Sequence, residues 1–168
     1  MSILRHQFLD LPKSAKTFLG TNSSEYKIEI FEKDQEFVYF GIKANLEKCI
    51  NFKFHETNDI ELLINVDGFP LFKSSRKQLW PILCKVFNHH NCYKFVVAIY
   101  CGNNKPTDTE QYLAKFIEEI NTLQETGIMI SNRFFNVSIK AFICDRPARS
   151  LLKNMKIMVA ITLVRDVL

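Results

Sequence analysis

Two apolar runs, DIELLINVD at 59–67 and FNVSIKAFICD at 135–145, each stop on an aspartate, Asp67 and Asp145, and the clearest helical segment lies between them. That order constrains the fold more than any other feature. A strand in which Leu, Ile and Val are nearly continuous is expected to be covered on both faces. A helix between strands makes a crossover, which lays the last strand parallel to a neighbour by a right-handed connection. If the two strands are adjacent, Asp67 and Asp145 stand side by side at strand ends, where open α/β sheets tend to form sites.

A lone carboxylate in such a place costs several kcal/mol or shifts its pKa unless a cation or a donor meets it. A shared divalent metal removes that cost. Hard oxygen ligands suit Mg2+ or Mn2+, which keep several waters and take one or two carboxylates plus substrate phosphates. Two such ions roughly 3.5 to 4 Å apart would activate a hydroxyl and stabilise a leaving oxygen in phosphoryl transfer. The plainer alternative is a turn, in which each aspartate oxygen caps nearby N–H groups. Spacing leaves both open.

The helical segment TDTEQYLAKFIEEINTLQETG, 107–127, has Thr107 or Asp108 to cap it and Gly127 to end it, with Leu113, Phe116, Ile117, Ile120 and Leu123 on one face. Before it, QLWPILCKV (78–86) is a short apolar run broken by Pro81, and YKFVVAIYCG (93–102) is a strand with a glycine stop. The predicted order is strand, strand, strand, helix, strand, an α/β class. Upstream, YKIEIFEKDQEFVYFGI (26–42) reads as a hairpin around Glu32 to Gln35, and KANLEKCINFKF (43–54) as a short helix.

At 168 residues, 47% hydrophobic and 12% aromatic, the chain is sized for one domain and too apolar for a disordered one. Its net charge of +4 permits a polyanion partner without arguing for one. The five cysteines are scattered and never form C-x-x-C, which suits reduced thiols and gives no zinc site. The NHHNC stretch with His89, His90 and Cys92 lacks the second ligand pair that zinc needs and reads as a polar turn. The start, MSILRHQFLDLPKSAK, has no secretory pattern, and IMVAITLV near the end is too short to cross a bilayer. A nuclear or cytoplasmic protein is expected, not secreted, with no membrane partner and no small-molecule cofactor.

INVDGFPLFKSSRKQLWPILCKV, FVVAIYCGNNKPTDTEQYLAKFIEEINTL and IKAFICDRPARSLLK together resemble the catalytic region of CACTA-type DNA transposases and their animal relatives. In those proteins a D-G-hydrophobic-P/N-hydrophobic block precedes a W-P-[IV]-L block, and a D-x-P-A block follows the helix. LPKSAKTFLGT and FVYFGI resemble the segments that lead in, so the likeness covers roughly residues 3 to 154. It implies a ribonuclease H-like mixed sheet, incomplete at the C-terminus, and an acidic triad that cuts and joins DNA with Mg2+ or Mn2+. Asp67 is then the first carboxylate and Asp145 the second, both as metal ligands. No segment here corresponds to the third.

By this division, residues 1–58 are a lead-in of turns, hairpin and short helix, 59–154 a partial transposase core, and 155–168 an aberrant tail. Where the family continues into a His-containing turn and a C-x-x-C pair, this chain reads MKIMVAITLVRDVL. Codons for 156–168 can be chosen so that a two-nucleotide shift yields that pattern, and genomic codons unable to do so would exclude a frameshifted origin. The tail's apolar run is expected to be unmatched to the fold, which is taken to lack its last strand and final helices. Lys73, Arg76 and Lys77, with Arg146 and Arg149 beside Asp145, are candidates for DNA phosphate contact or ordinary solvated charges. DNA is the one partner the resemblance implies.

Overall fold

The computed structural model describes residues 26–50, 56–72, 76–89, 92–145, 148 and 163–164. The fold is mixed α/β, with one mixed sheet and few helices. Strands β1 (Glu29–Ile30) and β2 (Glu36–Tyr39) precede helix α1 (Lys43–Cys49). Next come β3 (Asp59–Val66), β4 (Phe69–Pro70), β5 (Gln78–Val86) and β6 (Phe95–Gly102), then helix α2 (Thr109–Thr126). β7 (Ile128–Ile130), β8 (Arg133–Cys144) and β9 (Leu163–Val164) complete the order. The sheet runs β1-β2-β6-β5-β3-β8-β7, with β4 on β5 and β9 on β8. All neighbours are antiparallel except β3 with β8 and β8 with β9.

The local signals explain most elements. Asp108 caps α2 by accepting from the Gln111 N–H at 2.9 Å, and Gly127 ends it at φ 64°, a conformation costly for any residue with a Cβ. Leu113, Phe116, Ile120 and Leu123 are buried along its inner face together with Tyr112. The β1–β2 hairpin turns at Asp34, with φ 65°. The β7–β8 hairpin turns on Ser131 and Asn132, both at positive φ, as a two-residue turn of the favoured twist requires.

Three expectations need correction. Pro81 does not break its run, since β5 is continuous over nine residues. It falls between the residues that pair with β3, from Ile82 on, and those that pair with β4, Gln78 and Leu79, where the ladder can lack one donor. β3 is not buried on both faces: Ile60, Leu62, Ile64 and Val66 are buried, whereas Glu61, Leu63 and Asn65 between them are partly exposed. On that side a shallow cavity of about 230 Å³ opens over Leu63, Leu83 and Ile143, with Lys85 and Lys94 at its lining. Lastly, the tail is not wholly unmatched, because Leu163 and Val164 pair in parallel with Phe142 and Ile143 and place a short strand on β8.

The cysteines also depart from the sequence reading. Cys49, the last residue of α1, is joined in a disulfide to Cys92 in the β5–β6 connection, with Cα atoms 5.3 Å apart. Cys84, Cys101 and Cys144 remain thiols. At the other end of α1, Ile42 supplies no capping side chain. Glu119 of α2 does so instead, accepting from the Ile42 N–H at 2.7 Å, the Lys43 N–H at 2.9 Å and the Tyr39 hydroxyl at 2.6 Å.

Burial, and then the hydrogen bond to Glu119 and the charges of Glu119 and Glu118, hold the Tyr39 hydroxyl protonated well above its ordinary 10.0. Burial alone does the same for Tyr112 and for the Cys84 thiol. A pKa raised by folding stabilises fully below the unfolded value and is lost as pH rises past it. Stability is therefore expected to fall from about pH 9 upward, where unfolded Cys and Tyr begin to ionise. Denaturation midpoints across alkaline pH would check this, and Tyr39→Phe should flatten the decline. A midpoint that does not move between about pH 8 and 11 would refute it.

Candidate functional site

β3 and β8 lie side by side in parallel, and their register closes on Val66 opposite Cys144. Asp67 and Asp145 are the next residues of each strand, so the structure brings the two aspartates to neighbouring strand ends. Adjacent strands are spaced by about 4.8 Å. The Asn65 side chain spans the gap just before them, donating from Nδ2 to the Ile143 carbonyl at 2.9 Å.

This alignment depends on a bulge. Leu62 pairs with Ile139, but Leu63 pairs with Ala141, so Lys140 is an extra residue in β8. Were the first register continued, Cys144 would stand beside Asp67 and Phe142 would turn out of the core. Lys140 is itself fastened, its Nζ 3.1 Å from both Glu61 carboxylate oxygens and 4.5 Å from the centre of the Phe87 ring. The sequence carries a sign of the bulge that simple alternation misses. Phe135, Val137 and Ile139 are spaced by two, and Phe142 and Cys144 resume one residue late.

Both aspartates are exposed. Asp67 Oδ1 accepts from the Gly68 N–H at 2.8 Å, and Asp145 Oδ1 from the Ala148 N–H at 2.8 Å. The turn reading of each is thus realised, at one oxygen. Among the described residues no hydrogen bond reaches the second oxygen of either. Carboxylate oxygens of this kind are the hard donors that a divalent cation takes. No group of three or more His, Cys, Asp or Glu side chains converges among the described residues.

Arg76 is exposed and Lys77 half-buried, at the start of β5. β4, which follows Asp67, pairs with that start, and the Leu71 N–H donates to the Lys77 carbonyl at 2.9 Å. The backbone of Lys77 is thus opposite Leu71, four residues past Asp67, at the same end of the sheet. Lys73, Arg146 and Arg149 lie outside the described residues. His89, expected in a polar turn, is 3% exposed. No family model, curated protein or solved structure matches this chain. No helix among the described residues is long and apolar enough to cross a membrane.

Proposed function

We propose that this chain carries part of the catalytic region of a CACTA-type, metal-dependent DNA transposase, with Asp67 and Asp145 as its first two carboxylates. The observation that carries the proposal is the β3–β8 register, which sets the two aspartates side by side. The sheet order supports it too. β6, β5, β3 and β8 lie in succession, with α2 crossing from β6 toward β8, in agreement with a ribonuclease H-like sheet.

The second oxygens of Asp67 and Asp145 would hold Mg2+ or Mn2+. A bound ion would polarise a phosphoryl oxygen and ease deprotonation of an attacking hydroxyl or water. The backbone bonds at the first oxygens fix each carboxylate before any ion arrives. Arg76 and Lys77, at the same end of the sheet, would meet backbone phosphate and set position rather than sequence preference. With two carboxylates of three, the chain is not expected to cleave DNA robustly by itself.

A second reading is a non-catalytic DNA-binding or protein-interaction module derived from such an enzyme. The backbone bond at each Oδ1 favours it, because capping alone accounts for both aspartates. Asp67→Asn with Asp145→Asn separates the two, since asparagine keeps the Oδ1 acceptor and removes the charge. Trp80 is the chain's one tryptophan, so Mn2+ quenching of its emission reports the site directly. The enzyme reading predicts that the double variant loses Mn2+ affinity by about tenfold or more. Unchanged Mn2+ quenching with unchanged DNA affinity would favour the module.

A further inference from the structure

Trp80 packs on the turn that carries Asp67. A Cβ built on Gly68 would lie 2.3 Å from Cε2 and 2.4 Å from Cζ2 of the indole. Glycine is required at 68 by that contact. The ring has little room to retreat: it is 5% exposed, and its Nε1–H donates to Gln78 Oε1 at 3.1 Å. The carbonyl of Trp80 accepts the Tyr112 hydroxyl of α2 at 3.1 Å. On its other side, Gly68 donates its N–H to Asp67 Oδ1 at 2.8 Å. A continuous set of contacts therefore runs from α2 through Trp80 and Gly68 to the carboxylate.

We infer that Trp80 is a positioning residue for the two-aspartate centre. By seating Gly68 it fixes the Asp67 carboxylate with one oxygen on the backbone and the other left for a cation beside Asp145. This deepens the metal reading and rests on it. In this chain the glycine of the D-G stretch is thus the seat for the tryptophan of the W-P stretch. Outer contacts that orient a metal ligand commonly change metal affinity by about 10- to 100-fold when removed.

The test is Mn2+ binding to the full chain, followed by paramagnetic resonance of the free ion, with the melting temperature of each sample alongside. Trp80→Leu removes the seat, Trp80→Phe keeps an aromatic face on Gly68, and Gly68→Ala forces ring and turn apart while leaving Trp80 in place. Leu123→Ala, a core change elsewhere on α2, controls for general destabilisation. Trp80→Leu and Gly68→Ala are expected to weaken Mn2+ by about tenfold or more, and Trp80→Phe by much less. Leu123→Ala should lower the melting temperature without moving affinity.

If Trp80→Leu does not fold, Gly68→Ala decides. Wild-type affinity in the deciding variant, with Mn2+ lost in Asp67→Asn, overturns the role of Trp80 and leaves the metal reading standing. A loss in Leu123→Ala equal to that in Trp80→Leu also overturns it. Wild-type affinity in Asp67→Asn overturns both.

Discussion

Reducing the Cys49–Cys92 disulfide is expected to lower the folding free energy by about 4 kcal/mol, because it opens a loop with a sequence separation of 43 residues. The loop spans β3, β4 and β5, so the reduced unfolded chain regains much freedom that the bridge denies it. For a domain of this size that corresponds to a melting temperature lower by on the order of 10 °C. The sheet should survive, since its pairings are independent of α1 and the core residues Ile60, Leu62, Ile64 and Ile82 lie within it. Denaturant unfolding with and without reductant measures the effect, and the Cys49→Ser, Cys92→Ser double variant should match the reduced wild type. A shift below about 1 kcal/mol would mean that the bridge does not constrain the unfolded chain as the loop-entropy account requires.

What the sequence disclosed and what it concealed follow from the reach of each interaction. α2 was legible because its cap, its stop and its apolar stripe all lie within the helix or one residue of it, and the structure places them at Asp108, Gly127 and the Leu113 to Leu123 face. The crossover made a parallel last strand legible, but which neighbour it joins was not, and only the β3–β8 pairing puts Asp67 and Asp145 on adjacent strands. Pro81 misled because proline's effect in a strand depends on what lies opposite, and that is set by β3 and β4. Lys140 left a trace in the apolar spacing, but only pairing with β3 turns that trace into a bulge. The disulfide left none, since nothing near Cys49 or Cys92 in the chain distinguishes them from the three thiols.

Glu119 is the clearest case of a residue without a local signature, as its three donors lie 76 to 80 positions away. Along α2 it looks like any solvent-facing glutamate. Its truncation should nevertheless be the second large loss of stability: Glu119→Ala is expected to cost about 3 kcal/mol, allowing for partial exposure to water. The reason lies in α1, which has only seven residues and no capping side chain of its own. A helix that short does not persist without tertiary support. Leu46 is buried beneath it, Cys49 ties its end, and Glu119 meets two N–H groups at its start that would otherwise be unpaired. Glu119→Gln keeps an acceptor in place and should cost less than half as much. Because the two tethers hold one helix, their losses should not add. Once the disulfide is open and α1 is free to leave, Glu119→Ala should cost less than it does in the oxidised protein. Strict additivity of the two changes in a double cycle would show that α1 does not couple them.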